Sequence, residues 1–249
     1  MPYDFGVYHW RERGRRIAAG GLAALGAAAV ARRSDALAVR LAAAGVGAWG
    51  ARTAWSPLRK LAESPPWRIE PSKYRALADR LPLAGADRLL DVGCGTGRSL
   101  VGLAPAVPAD CDALGLDVFD DRVILGNGPG LARRNAARAG LDVAALRGDA
   151  ARLPLAENSV DVVTACRVLH DLPADAADAA LGEARRVCRP GGRLGVLELP
   201  ITHGERADPA DYWRERIHRA GFAVERVEEL ECDGRSYVVV IAAPDGESA

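Results

Sequence analysis

Arg88-Leu89-Leu90-Asp91-Val92-Gly93-Cys94-Gly95-Thr96-Gly97 runs a short apolar segment straight into three glycines at alternate positions, and few folds accommodate that arrangement. The apolar part predicts a buried strand. Glycine has no Cβ, so the backbone after it can turn through positive φ and lie flat against a ligand. A helix that begins near Thr96 or Gly97 presents its free N–H groups and positive dipole end to the same ligand. The stretch therefore predicts a strand, turn and helix around a nucleotide.

Spacing narrows the ligand. A dinucleotide fingerprint reads G-x-G-x-x-G and seats a pyrophosphate at the helix start. Here position 98 is Arg and the pattern is G-x-G-x-G, which weakens the pyrophosphate reading. Asp91-Val92-Gly93-Cys94-Gly95-Thr96-Gly97 resembles the first motif of the class I S-adenosylmethionine-dependent methyltransferases, an acidic residue followed by G-x-G-x-G. The resemblance implies that Asp91, Gly93, Cys94, Gly95 and Gly97 contribute to a cofactor site.

The chain beyond that stretch alternates short apolar strands with helical segments, as a parallel sheet requires. Strands are expected near 88–92, 113–118, 142–147, 160–165, 192–198, 222–229 and 236–242, and helices near 97–104, 129–139, 174–188 and 209–220. Asp208 is the expected N-cap of the last helix, with Pro209 in its first turn and Gly221 as its stop. Phe222–Leu230 and Ser236–Ile241 are joined through Cys232-Asp233-Gly234, which predicts a closing hairpin. The fold class is therefore α/β: a Rossmann-like, seven-stranded, mostly parallel sheet ending in an antiparallel hairpin. Ahead of it, residues 71–81 have apolar positions at helical spacing with Ser72 as the expected N-cap. In the family a helix at that place lies over the cofactor.

Site residues follow from the strand ends. Asp117 lies 20 residues after Gly97, the usual distance for a carboxylate that accepts from ribose hydroxyls; Val118 adjoins it. Arg147-Gly148-Asp149-Ala150 resembles the family's Gly-Asp-Ala segment. That likeness implies an Asp149 carboxylate for the adenine amine and an Ala150 N–H for the ring. Ligands in open α/β sheets bind beyond the carboxyl ends of the strands, so Cys166 to His170 should approach the reacting group, with Cys166 in the cofactor site. His170 and Asp171 are the candidate acid–base pair, needed only if the acceptor must lose a proton. Arg189-Pro190-Gly191-Gly192 matches a structural turn. Glu198, His203 and residues 200–207 are placed by position as candidates for the acceptor pocket, and His9 and His218 as surface residues.

The first part of the chain is different. Residues 1–60 hold ten Lys or Arg against three Asp or Glu, a balance of +7, so a chain of net charge zero carries −7 elsewhere. Residues 17–31 and 36–51 are almost uncharged and rich in Ala, Gly and Leu, predicting an apolar helical hairpin. A membrane hairpin, a soluble helical pair and an export signal are the three readings. Export would part the chain from a cofactor made inside the cell. Trp49, Trp55 and the flanking Arg groups favour membrane association through residues 17–55; Arg32 and Arg33 at the hairpin tip oppose it, and each run is shorter than the roughly 20 residues of a spanning helix. Ser64-Pro65-Pro66 reads as a linker, dividing an N-terminal segment (1–66) from the methyltransferase domain (67–249).

Five scattered cysteines with no C-x-x-C pair support neither a disulfide frame nor a zinc site and fit a reducing, cytoplasmic setting. The combined expectation is a methyltransferase using S-adenosylmethionine on a small-molecule or lipid-like acceptor. A non-catalytic cofactor-binding scaffold anchored by its N-terminal segment is the first alternative and a nicotinamide oxidoreductase the second. An acidic body without a basic aromatic groove argues against nucleic acid.

Overall fold

The computed structural model describes residues 3–63 and 65–246; Ser64 of the expected linker lies outside the described residues. The chain divides into two units, one holding residues 6–68 and 120–126, the other residues 3–5, 69–119 and 127 onward.

In the first unit, α1 (Trp10–Arg33) and α2 (Leu37–Glu63) form the expected hairpin. Glycine makes the close packing possible. A Cβ on Gly20 would lie 2.5 Å from the Gly50 carbonyl oxygen, and one on Gly50 would lie 2.6 Å from that of Gly20, so the two backbones touch there. Ala27 and Ala43 are buried further along the same seam. α2 runs past the expected end at residue 51, through Pro57 to Glu63. Residues 120–126 belong here because they pair with residues 7–10: His9 N donates to Val123 O at 2.7 Å, Leu125 N to Val7 O at 3.1 Å, and Trp10 Nε1 to Asp121 O at 2.8 Å. The long stretch after Asp117 is thus a partner for the N-terminal segment. Among the described residues no helix is long and apolar enough to cross a membrane.

The second unit is built on a seven-stranded sheet in the order β3-β2-β1-β4-β5-β7-β6. Its strands are β1 (Arg88–Val92), β2 (Asp112–Asp117), β3 (Val143–Arg147), β4 (Val160–Cys166), β5 (Cys188–Glu198), β6 (Phe222–Cys232) and β7 (Arg235–Pro244). β1 to β5 are parallel, and β7 pairs antiparallel with both β5 and β6, as the hairpin signal predicts. The central strands are buried on both faces, which is why they read as continuous apolar runs. Leu90, Val92, Val163 and Val196 face α6 (Ala174–Val187) and α7 (Pro209–Arg219). Leu89, Val162 and Leu197 face the opposite layer with α3 (Ser72–Ala78), while α4 (Arg98–Leu103) and α5 (Pro129–Arg138) cover Ala113 and Val143.

Helix signals held where a side chain had a free partner. Asp208 caps α7 by accepting from Ala210 N and Asp211 N. Ser72 does not cap α3: Pro71 occupies the cap position, and the Ser72 hydroxyl donates to Asp233 Oδ2 at 2.6 Å instead. A tertiary carboxylate displaced the local bond. The Pro190-Gly191-Gly192 turn is absorbed into β5 as an irregularity in its pairing with β4, with Gly191 at φ 81°.

The hairpin seam is directly testable. Gly50→Val forces a branched side chain into backbone and should lower stability by about 1–3 kcal/mol. Gly21→Ala, where a Cβ meets nothing within 4 Å, should be neutral or stabilising by up to about 1 kcal/mol. Urea unfolding followed by circular dichroism separates the two, and equal midpoints would refute the packing described.

Candidate active site

The site gathers at the carboxyl ends of β1, β2 and β4. The loop after β1 turns through Gly93 (φ 71°), Gly95 (φ 51°) and Gly97 (φ 82°). It is hung from the neighbouring strand, since Gly93 N and Cys94 N both donate to Leu116 O, at 2.7 and 3.0 Å. Two of these glycines are also required by protein packing. A Cβ on Gly93 would meet Val168 Cγ2 at 2.2 Å, and one on Gly97 would meet Ala132 O at 2.9 Å.

Beneath the loop lies Asp91, with no exposed surface. Its carboxylate accepts from the Ser99 hydroxyl at the start of α4 and from Thr164 Oγ1 in β4 at 2.8 Å. Burial outweighs these two bonds and, with the nearby Asp117 charge, pushes its pKa up to about 6. The side chain therefore staples β1, α4 and β4 together. Neither Ser99 nor Thr164 has a sequence signature.

Asp117 is the carboxylate that faces the loop. Its Oδ2 accepts from Gly95 N at 3.0 Å, and its Oδ1 accepts from Phe119 N at 2.6 Å and Asn127 Nδ2 at 3.3 Å. The Asn127 Oδ1 atom is buried with no hydrogen-bond partner. An orphaned acceptor beside a half-buried carboxylate suits a ligand that brings hydroxyl donors, as a ribose does. Val118 projects just beyond at 56% exposure, an apolar surface at the strand end. Asp149 is exposed, with Oδ1 held by Ala151 N at 2.9 Å, and Ala150 is buried beside it.

Cys94 and Cys166 are both buried, their thiols pushed well up by desolvation. The position of a Cβ on Gly115 lies 2.9 Å from Cys94 Sγ. What these two residues can offer a cofactor is backbone.

Beyond β4 the chain turns sharply at Arg167 (φ 59°). Glu198, at the end of β5, holds this turn. Its Oε1 accepts from Val168 N at 2.9 Å and Leu169 N at 2.7 Å, while Oε2 bonds His170 Nδ1. Glu198 has no exposed surface, so it does not line an open pocket as its position in the sequence suggested. Burial works to lower the His170 pKa, but the bond to Glu198 and the charges of Glu198 and Asp171 win and raise it. Asp171 Oδ1 lies 3.5 Å from His170 Nε2. His203 is likewise engaged: its Nδ1 meets the Tyr212 hydroxyl at 2.5 Å and its Nε2 reaches Leu172 O at 2.9 Å. It clasps two loops. His9 and His218 are exposed, as expected.

Sequence reasoning missed the role of the first residues. Phe5 is 2% exposed; its carbonyl accepts from Thr96 Oγ1 at 3.2 Å, and the Arg98 guanidinium lies 4.4 Å from its ring centroid. Asn135 Nδ2 donates to Asp4 O at 2.6 Å and to Thr96 O at 2.8 Å. Residues 4 and 5 are thus pinned to the glycine loop. Among the described residues no cluster of metal-ligating side chains occurs.

A parallel sheet closed by an antiparallel hairpin, a G-x-G-x-G loop and an acidic residue ending the second strand define the class I S-adenosylmethionine-dependent methyltransferases, and the chain carries a domain of that class. Residues 89–192 match the family described as the methyltransferase domain. The chain is 36% identical over 160 residues to 27-O-demethylrifamycin SV methyltransferase of Amycolatopsis mediterranei, covering 62% of this chain and 53% of the relative. It is 39% identical over 126 residues to the ubiquinone/menaquinone biosynthesis C-methyltransferase of Dinoroseobacter shibae, covering 50% and 47%. The chain thus spans about half the length of these curated relatives. Among solved structures, the cyclase SpnF superposes with a TM-score of 0.58 at 23% identity, covering 70% of this chain and 81% of that one. A 1,6-didemethyltoxoflavin-N1-methyltransferase of Burkholderia thailandensis superposes with 0.56 at 19%, covering 71% and 80%. At such identities the likeness speaks for the fold alone.

The Asp91 staple gives a pH signature. A carboxyl whose folded pKa is raised binds more protons in the folded state, so its contribution is fully present below the unfolded value of 3.8 and lost as pH rises through about 6. Relative to Asp91→Asn, the wild type should lose on the order of 2–3 kcal/mol between about pH 4 and pH 7. Urea midpoints of both proteins across that range measure it; a difference that stays constant with pH would refute the assignment.

Proposed function

We propose that the protein transfers a methyl group from S-adenosylmethionine to a small-molecule or lipid-like acceptor. The observation that carries the reading is Asp117, a carboxylate tied to the glycine loop through Gly95 N beside the orphaned Asn127 Oδ1. Bound S-adenosylmethionine supplies an electrophilic sulfonium methyl group. Gly93, Gly95 and Gly97 would leave its approach clear of side chains, and Asp117 would accept from the ribose hydroxyls. Asp149 and Ala150 would meet the adenine, with Val118 as its apolar neighbour. Catalysis then rests largely on holding the acceptor in line, a positional effect that is substantial in its own right.

For an acceptor that must lose a proton, His170 and Asp171 would serve as the acid–base pair. Glu198 occupies His170 Nδ1, which leaves Nε2 as the atom that exchanges the proton. The relatives support an acceptor of small-molecule type, since two of them are named for a rifamycin and for quinones.

For the N-terminal unit we propose peripheral attachment to a membrane surface. Leu22, Leu25, Leu37, Leu41, Trp49 and Trp55 are each at least 60% exposed, and residues 1–60 carry a charge balance of +7. Apolar side chains with flanking cations suit the boundary of an anionic bilayer. Co-sedimentation with phosphatidylglycerol vesicles, weakened by salt and by Trp49→Ser with Trp55→Ser, is expected; equal recovery in the supernatant with and without vesicles would refute it.

Two measurements test the enzyme reading. Calorimetric titration with S-adenosylhomocysteine should show binding that Asp117→Ala weakens by about 10- to 100-fold, the worth of hydrogen bonds to a charged group. Labelled S-adenosylmethionine incubated with extracted lipid and soluble pools should yield a labelled product; cofactor binding with no product in either pool would return the scaffold reading. Because the His170 pKa is raised, transfer that needs a base should increase as pH rises above about 6.5. His170→Ala should flatten that rise, and an unchanged profile with unchanged cofactor affinity would remove His170 from the chemistry.

A further inference from the structure

Asp117 and Asn127 form a polar pair at the end of β2, 10 residues apart in sequence and joined by an excursion of the chain. Chemistry fixes the orientation of the Asn127 amide. Its Nδ2 donates to Asp117 Oδ1 at 3.3 Å, because the reversed amide would set two acceptors face to face, and this leaves Oδ1 buried without a partner. The near end of the excursion is held by its own surroundings. Phe119 N donates to Asp117 Oδ1 at 2.6 Å, the Phe119 ring is buried, and the Arg147 guanidinium lies 5.6 Å from the ring centroid. Those contacts keep Phe119 at φ 52°, a conformation that is costly for an aromatic residue and persists only where neighbours enforce it.

The far end, next to Asn127, lacks that support. Five of the seven residues 120–126 are exposed, and a segment with little buried apolar surface depends on its hydrogen bonds for order. Those bonds come from the beginning of the chain. Leu125 N donates to Val7 O at 3.1 Å and His9 N to Val123 O at 2.7 Å, and Tyr8 and Ile124 form an antiparallel bridge. Gly6 sets the register: its φ is 64°, and a Cβ there would lie 2.2 Å from Leu125 O. Just before it, Asp4 N and O both bond the Asn135 side chain, and Phe5 O accepts from Thr96 Oγ1 in the glycine loop. Residues 4–9 are thus tied at one end to the glycine loop and at the other to the segment that delivers Asn127.

We propose that residues 6–9 and 123–125 are a positioning clasp for the cofactor's ribose. Their pairing sets where Asn127 stands, so that its Oδ1 and the Asp117 carboxylate accept together from the two neighbouring hydroxyls. The N-terminal segment thereby determines how strongly the site prefers a ribonucleoside to one without those hydroxyls. This rests on the methyltransferase reading above and adds positioning residues to its cofactor site.

The test uses the full chain and calorimetric titration with S-adenosylhomocysteine and with its 2′,3′-dideoxy analogue. The wild type should bind the analogue about 10-fold or more weaker, the worth of hydrogen bonds to a charged group. Gly6→Ala, which cannot keep the approach to Leu125, should weaken S-adenosylhomocysteine by about 3- to 10-fold, the worth of the neutral bond to Asn127. Its affinity for the analogue should change by less than about twofold, so the preference shrinks. Leu125→Pro removes the donor to Val7 O at a position that is 46% exposed; it should behave in the same way, and it decides the matter if Gly6→Ala does not fold. Because both substitutions break one pairing, the double variant should bind no more weakly than the worse single variant. Equal weakening of the two ligands would make the clasp a general support and overturn the proposal. Unchanged S-adenosylhomocysteine affinity in both variants, or a wild type without preference between the ligands, would overturn it too. Failure of the wild type to bind S-adenosylhomocysteine at all would instead overturn the methyltransferase reading, and this one with it.

Discussion

The buried carboxylate of Asp91 is the contact on which the site depends. A charge with no exposed surface is tolerated only when its oxygens are satisfied, and here Ser99 and Thr164 satisfy them from two different elements. That requirement fixes the start of α4 and the middle of β4 relative to the end of β1. The glycine loop between them has little freedom left: its first two N–H groups hang from Leu116 O, and its outer glycines are packed by Val168 and Ala132. The loop is thus preorganised by the protein before any ligand arrives, which lowers the ordering cost of binding.

A second carboxylate repeats this arrangement on the other side. Glu198 gathers two backbone N–H groups and the His170 ring and so shapes the turn that carries Arg167. Two buried acids, Asp91 and Glu198, therefore brace the two walls of the site, and Asp117 is the carboxylate left half-buried at the glycine loop. The division follows from burial: the first two have no exposed surface, whereas Asp117 is only half-buried.

The N-terminal region contributes in two separate ways. Residues 4 and 5 attach to Thr96 and Asn135, while residues 7–10 pair with 121–125. The long stretch after Asp117 and the aromatic beginning of the chain, which look unrelated in sequence, are thereby explained by each other. Small residues at Gly20 and Gly50 let the two helices meet backbone to backbone, leaving the larger Leu and Trp side chains exposed.

The sequence by itself determined the sheet, its closing hairpin, the glycine loop and the place of Asp117 at the end of the second strand, because these rest on short-range signals: alternating apolar runs, turn residues and a fixed spacing. It also identified Asp208 as a cap, since that bond is made within one turn. Tertiary structure alone decided that Asp91 and Glu198 point inward, that Ser72 turns to Asp233, that His203 clasps Tyr212, and that residues 7–10 pair with 121–125. Each of those outcomes depends on partners between 8 and 161 residues away in sequence. Local patterning carries no record of which distant group will satisfy a buried charge.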